Sequence, residues 1–204
     1  MPQRYAPATS RNREAILTVL HDALPKTGCV LEIASGTGEH AVYFAPRLAP
    51  RLWLPSDIDP EHLASISAWS MAEPCSQLLE AILLDASKPT WPMENPLTAK
   101  DINAVVNINM IHIAPWEACL GLFNGAARLL TSGGVIYLYG PFKQGGNHTA
   151  HSNAEFDRQL QARNAQWGVR NLDDVIAVAK RVGFECCHVV EMPANNLSVV
   201  FSRR

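Results

Sequence analysis

Cys29-Val-Leu-Glu-Ile-Ala34 is a short apolar run that passes directly into Ser35-Gly-Thr-Gly38, and few architectures accommodate such a segment. A strand with one face in water alternates apolar and polar residues; a near-continuous apolar run is a strand covered on both faces. The glycines at its end let the backbone turn sharply and let a ligand come close to it. Apolar residues at helical spacing precede it (Ile16, Leu17, Val19, Leu20, Leu24) and stop at Pro25 and Gly28, and residues 40–48 read as a second helix. Strand, tight turn and helix in that order belong to a parallel sheet. In such sheets ligands lie beyond the carboxyl ends of the strands. Residues 35–38 therefore mark a candidate binding turn.

The same alternation continues along the chain. Residues 52–57, 79–84, 101–109 and 135–139 read as strands, with helices expected at 60–71 and 116–130. Pro55 implies that the second strand ends early or that its amide is not needed there. Gly133-Gly134 stops the helix before the fifth strand, and a polar glycine-rich loop, 140–151, follows that strand. Ser152-Asn-Ala-Glu155 has capping-box spacing and predicts a helix start. Asn171 is placed to cap another helix, which runs to Arg181 and stops at Gly183. Two β-like runs, 184–190 and 197–201, flank Pro193-Ala-Asn-Asn196, and so short a connection favours an antiparallel pair. The expected architecture is α/β: a Rossmann-like doubly wound sheet of seven strands, mostly parallel, closed by a C-terminal antiparallel hairpin. At 204 residues the chain suits a single domain, with 1–13 as a polar N-terminal arm and 140–151 as a possible lid loop.

Charge and cysteine content narrow the function classes. A formal net charge of -2 gives no general attraction to nucleic acid or to an anionic membrane, and Lys and Arg are scattered. No apolar run is long enough to span a bilayer, and the opening residues lack an apolar signal region. The five cysteines show no C-x-x-C spacing and read as reduced thiols of a cytoplasmic protein. The histidines are dispersed, and no metal site is expected. A small-molecule substrate is the expected partner, with no nucleic acid and no membrane; oligomeric state leaves no mark on the sequence.

Gly36-Thr-Gly38-Glu-His-Ala41 also satisfies the degenerate dinucleotide fingerprint, with Asp57 at a suitable distance downstream. A nicotinamide-dependent oxidoreductase is thus a rival reading. Glu32 opposes it, since a carboxylate four residues before the first glycine can meet a cationic amino group on the ligand. Asp85 opposes it too, at the end of the third strand, where a carboxylate can accept from an adenine amine. The closing hairpin points the same way.

Val30-Leu-Glu-Ile-Ala-Ser-Gly-Thr-Gly38 resembles the first motif of class I S-adenosylmethionine-dependent methyltransferases, with Ala34 where a third glycine is usual. Ser56-Asp57-Ile-Asp59 resembles their second motif, Leu84-Asp85-Ala86 their adenine-contacting turn, and Leu129-Leu-Thr-Ser-Gly-Gly134 the glycine turn before their fifth strand. A closer resemblance, to the methyltransferase-like domain-of-unknown-function family 938, covers almost the whole length. It is carried by Arg11-Asn12, Ala34-Ser-Gly-Thr-Gly-Glu-His40, Asn109-Met-Ile-His112, Tyr139-Gly-Pro-Phe142, Ser152-Asn153, Trp167-Gly-Val-Arg170 and Pro193-Ala-Asn-Asn-Leu197. The resemblance implies a methyltransferase using S-adenosylmethionine and releasing S-adenosylhomocysteine. It implies cofactor contacts from Arg11, Asn12, Glu32, Ala34, Ser35, Gly36, Thr37, Gly38, His40, Asp57, Ile58, Asp85, Ala86, Asn107 and Ile108, with the N-terminal arm folding over the cofactor. It names no substrate.

Methyl transfer from a sulfonium needs alignment above all, because the electrophile is already activated. An acceptor can also need its proton removed. Asn109 and His112, just past the fourth strand, are candidates to orient the acceptor and to act as base, and Tyr139 offers a hydroxyl at the end of the fifth. Trp116, His148 and Arg170 are candidates for substrate contact, as an aromatic wall, a loop imidazole and an anion-binding guanidinium. The segment 107–112 departs from the Asn/Asp-Pro-Pro-aromatic motif of exocyclic amine methyltransferases, which speaks against nucleic-acid bases as acceptors. A non-catalytic cofactor-binding module acting through a protein partner remains the alternative from a different class.

Overall fold

Packing of alternate strand residues into opposite layers organises the protein. The computed structural model describes residues 2–94 and 101–204. Strand β1 (Cys29–Ile33) is buried along its whole length, because Val30 points into one apolar layer and Leu31 into the other. The layer around Val30, Phe44 and Trp53 is covered by helices α1 (Pro7–Ala23) and α2 (Glu39–Arg47). The layer around Leu31, Phe123 and Val175 is covered by α4 (Trp116–Leu129) and α6 (Leu172–Arg181).

The remaining strands of the main sheet are β2 (Leu52–Asp57), β3 (Ile82–Leu83), β4 (Ile102–Ile108), β5 (Val135–Gly140), β8 (Phe184–Met192) and β9 (Asn196–Arg203). Their order is β3-β2-β1-β4-β5-β9-β8. β1 to β5 run parallel, while β9 pairs antiparallel with β5 and with β8. The chain winds outward from β1 to β3 and then returns to β4, so the strand order reverses between β1 and β4. That reversal opens a crevice over their carboxyl ends, between the turn 34–38 and the segment 109–115.

The doubly wound sheet and its antiparallel closure agree with the sequence reading; several boundaries do not. Pro55 lies inside β2 without ending it. Trp53 donates its amide away from β1, to Gln77 (2.8 Å), so the Pro55 nitrogen faces the same side, where β3 has not yet begun to pair. The third strand shrinks accordingly to Ile82–Leu83 plus a bridge at Leu78. The N-terminal arm is mostly helix, since α1 begins at Pro7, whose missing amide suits a first turn. Before it, Arg4 donates to Ser65 (2.9 Å) and accepts from Trp69 (3.0 Å) on α3 (Pro60–Ala72).

The expected capping box does not form. Helix α5 (His151–Arg163) begins two residues earlier, with Ala150 rather than Ser152 at its cap, and the Asn153 amide instead reaches Thr149 and Asn195. Asn171 stands at the cap of α6 but makes no side-chain cap bond; its oxygen accepts from Gly146. The loop 140–151 holds a small hairpin, β6 (Lys143–Gln144) and β7 (Asn147–His148). Lys143 and His148 both contact Asp157 on α5 (2.8 and 3.1 Å), and the Lys143 amide donates to Arg170 (2.9 Å). A hairpin anchored at these points is not the open glycine-hinged lid expected. No helix among the described residues is long and apolar enough to cross a membrane.

Candidate functional site

The turn after β1 is a run of left-handed backbone. Ala34 (φ 57), Gly36 (φ 57) and Gly38 (φ 91) alternate with Ser35 and Thr37. The Ser35 amide donates to Ser56 (2.8 Å), and its hydroxyl accepts from the Ser56 amide (3.1 Å). These bonds hold the turn on the end of β2. Thr37 donates to Glu39 (2.9 Å), and its carbonyl accepts from Ser65 (2.8 Å). The two glycines do different work. A Cβ on Gly38 would lie 2.9 Å from the Ile66 Cα, so Gly38 lets α2 pack on α3, whereas a Cβ on Gly36 would meet nothing within 4 Å. Open space at Gly36 is where a ligand can approach the chain. Ala34 occupies the position where glycine is usual, and its positive φ shows why glycine is usual there.

Two carboxylates flank the turn. Asp57 accepts from the Gly36 amide (2.8 Å) through one oxygen, and from the Asp59 amide (3.0 Å) through the other, which also contacts His62 (3.1 Å). Its first role is to shape the turn. Glu32 is 1% exposed and accepts from Trp53 Nε1 (3.0 Å). Burial pushes its pKa up to about 7, and nearby Asp57 adds to the rise. A cation brought beside it would hold it ionised.

Beyond β1 and β4 lies a cavity of about 520 Å³, lined by Ala34, Ile58, Leu84, Asp85, Ala86 and Trp167 among others. Ile58 is 59% exposed, an unusual outlay of apolar surface unless something covers it. Asp85 receives the Ser87 amide (2.9 Å) and hydroxyl (2.7 Å) on one oxygen. Its other oxygen stands 3.9 Å from Lys88. Apolar walls with a carboxylate at the rim suit a planar group bearing an amine.

A second cavity, of about 660 Å³, opens beside the first, and Ile113 lines both. Arg11, Asn12, Asn109, Tyr139, Asn153 and Asn195 are on its wall. Asn109 takes a left-handed conformation (φ 67) and donates its amide to the Tyr139 carbonyl (2.8 Å). The Tyr139 hydroxyl is hydrogen-bonded to Asn12, and burial raises its pKa. Asn12 accepts in turn from His40 Nε2 (2.9 Å). Burial, helped by Arg13, lowers His40 to about 4, so the imidazole in this chain is neutral.

The other sequence-predicted residues are placed elsewhere. His112 is 0% exposed and lines neither cavity. Its Nδ1 accepts from the Arg170 amide (3.2 Å), its ring packs edge-on against Phe142, and burial lowers its pKa to about 3. It is a neutral core histidine rather than a base facing the acceptor. Arg170 donates to the carbonyls of Ile111 (2.9 Å), Ala114 (2.6 Å) and Gln166 (2.8 Å). That fork fixes the loop after β4 and leaves it unsuited to a substrate anion. Trp116 stacks under Arg170 in a separate groove between α4 and α6, and His148 is held on Asp157. Asn107 ties β4 to β1 by donating to the Ile33 carbonyl (2.9 Å), and Ile108 belongs to the core. The aromatic residue that does line the first cavity, Trp167, went unassigned to that role, as did Phe156, Asn153 and Asn195 in the second. The family resemblance marked them, through Trp167-Gly-Val-Arg170, Ser152-Asn153, Phe156-Asp157 and the segment 193–197, without giving them a role.

Comparison with known proteins fits this geometry. Residues 3–203 match the profile of the family described as "Protein of unknown function (DUF938)". The fold resembles that of human N-acetylserotonin methyltransferase in complex with SAM, with a TM-score of 0.76 at 15% identity over 96% of this chain and 52% of that one. It also resembles CalO1, a methyltransferase of calicheamicin biosynthesis in its SAH-bound form (TM-score 0.71, 15% identity, 93% and 54% covered). The PH0226 protein of Pyrococcus horikoshii OT3 matches over 98% of this chain and 93% of its own, at TM-score 0.72 and 15% identity. The chain thus spans about half the length of the first two, 52% and 54%. These likenesses place it in the class I methyltransferase fold.

Proposed function

We propose that this chain, which belongs to the DUF938 family, is an S-adenosylmethionine-dependent methyltransferase acting in line on a small molecule. The observation that carries the reading is the pair of cavities meeting at Ile113 over the strand-order reversal. Both are mostly apolar; the first carries Asp85 at its rim, and the second is edged by Arg11 and several asparagines. When bound, S-adenosylmethionine supplies a methyl group already activated on sulfur. The residues present fit it: Ile58, Leu84 and Ala86 would flank a planar ring and Asp85 would accept from its amine. Gly36 gives room along the backbone, and Glu32 answers an amino group with negative charge. Asp57 keeps Gly36 in place and has a lone pair left for a ribose hydroxyl.

On the acceptor side, Asn109 and Tyr139 are the groups that orient a nucleophile. Alignment of this kind is where a methyltransferase draws most of its rate. Among the described residues no His, Asp or Glu lines the second cavity, and the Tyr139 phenol is the group there suited to exchange a proton. That same lack favours a second reading, a cofactor-binding module that works through a partner. Turnover against a panel of small acceptors separates the two. The cysteines are all free thiols, which fits a reducing, cytoplasmic setting.

Isothermal titration with S-adenosylmethionine, S-adenosylhomocysteine and NAD tests the cofactor. Binding of the first two and none of NAD is expected. NAD binding without S-adenosylmethionine binding would refute the proposal in favour of an oxidoreductase.

A further inference from the structure

Resting on the methyltransferase reading, we infer that the second cavity takes its acceptor as an anion: a planar small molecule bearing a carboxylate for Arg11 and a hydroxyl for the asparagine-lined wall. Among the described residues, Arg11 is the one charged side chain lining that cavity. It is exposed, and it pairs with no carboxylate among the described residues. It is absent from the lining of the first cavity. A guanidinium left without a partner at the mouth of a cavity of about 660 Å³ selects for a carboxylate, which it can grip through two bonds. A cationic acceptor would meet repulsion and no compensating acid.

The amides define the rest of the class. Asn153 already donates to Thr149 (3.1 Å) and to the Asn195 carbonyl (2.9 Å), and Asn195 donates to Ser152 (3.3 Å). Asn153 has only its amide oxygen left and Asn195 its oxygen and one N–H, a set suited to a ligand hydroxyl, which both donates and accepts. Phe156, 38% exposed, adds an apolar wall to the same cavity, which favours a flat body between the polar ends.

The rim itself is strained. Ala194 (φ 57) and Asn195 (φ 58) are consecutive non-glycine residues in left-handed conformation, each costing roughly 1 kcal/mol. The bond from Asn153 to the Asn195 carbonyl (2.9 Å) secures that turn against α5. Strain retained in a turn that lines a cavity is a mark of a binding surface. Arg11 from α1, Asn153 and Phe156 from α5, and Asn195 from the turn between β8 and β9 thereby converge on one pocket, which turns the bound molecule toward Tyr139.

The test uses the full-length protein loaded with S-adenosylhomocysteine, its binding measured first by titration calorimetry. Saturation-transfer NMR titrations then compare matched hydroxylated ring compounds carrying a carboxylate, a carboxamide or an aminomethyl group, on one-ring and two-ring scaffolds. The acids are expected to bind about tenfold or more tightly than the amides, and the amines not at all. Arg11→Ala should bring acid and amide within about twofold of each other, while Arg11→Lys keeps part of the preference and both retain wild-type S-adenosylhomocysteine affinity. Amides or amines binding as well as acids, or no acid in the panel binding to loaded protein, overturns the inference. So does a loss of S-adenosylhomocysteine affinity in Arg11→Ala with acid preference unchanged, which moves Arg11 to the cofactor. Failure of S-adenosylhomocysteine to bind wild-type protein overturns the methyltransferase reading instead. The acid preference of the unloaded protein then still decides the charge class of the pocket.

Discussion

Gly36 and Gly38 stand two residues apart with the same hand of backbone, and replacing each by alanine separates a binding role from a packing role. At Gly36 (φ 57) the new methyl meets nothing within 4 Å. The only folding cost is the left-handed conformation, roughly 1 kcal/mol, offset in part by about 0.5 kcal/mol because alanine restricts the unfolded chain. For a protein of this size that amounts to about 1–2 °C in Tm. At Gly38 (φ 91) the methyl would stand 2.9 Å from both Cα and Cγ1 of Ile66. Backbone cannot rotate away as a side-chain tip can, so an overpacking cost of about 1–3 kcal/mol is added to the strain. The total of about 2–4 kcal/mol predicts a fall of roughly 5–15 °C. Binding should rank the other way: Gly36→Ala puts its methyl where the ligand approaches and should weaken S-adenosylhomocysteine by about tenfold or more, some 1.4 kcal/mol. Thermal unfolding and calorimetry on the same preparations decide it. Wild-type affinity in Gly36→Ala, or a Tm loss equal to that of Gly38→Ala, refutes the division of labour.

Ala34→Gly removes a left-handed alanine (φ 57) and should raise stability by about 0.5 kcal/mol, the strain relieved less the added freedom of the unfolded chain; a lower Tm would count against it. Glu32, raised to about 7, should make S-adenosylhomocysteine affinity climb between pH 5.5 and 7.5 as it ionises opposite the ligand's amino group. Glu32→Gln should flatten that climb, and superimposable profiles would show that Glu32 is not in contact. In urea unfolding the two buried groups pull in opposite senses. His112, lowered to about 3, contributes stability that is complete above pH 6.5 and is lost as pH falls toward 3. Glu32 is protonated in the fold at low pH, so its cost grows as pH rises from 4.5 to 7. Each slope is about 1.4 kcal/mol per pH unit within its window, so His112→Gln and Glu32→Gln should tilt the stability curve oppositely. Arg170→Lys cannot span the Ile111 and Ala114 carbonyls with a fork, and faster hydrogen exchange in residues 110–116 is the expected sign.

The sheet was legible because its signals are local. Two-sided burial writes itself as apolar runs, and the winding writes itself as their alternation with helical spacing. The placement of Asp57 and Asp85 was legible for the same reason, since each lies at or just past a strand end in a fixed relation to a turn. Local reading failed where a neighbour distant in sequence decides the outcome. Ser152 and Glu155 have the spacing of a capping box, yet Asn153 is drawn to Asn195 across 42 positions, and the helix starts elsewhere. His112 looked like a base because it follows a strand end. Only the fold shows that Phe142 and the Arg170 amide enclose it, and enclosure makes it neutral.

The second cavity was the least legible part, and its construction explains why. Its walls come from α1, the ends of β4 and β5, α5 and the turn between β8 and β9, so no stretch of sequence contains it. The residues that resemble a family motif without an evident local duty, Arg11-Asn12, Ser152-Asn153 and Asn195, are the ones that meet there. Asn12 shows how the two halves of the site are coupled. It bonds both His40, beside the glycine turn after β1, and Tyr139, on the wall of the second cavity. An acceptor that displaces the Tyr139 hydroxyl therefore acts on Asn12, and through it on α1 and α2. Substrate and cofactor binding should be thermodynamically linked in both directions, which makes Asn12→Ala a change that reduces that linkage even where each affinity alone survives.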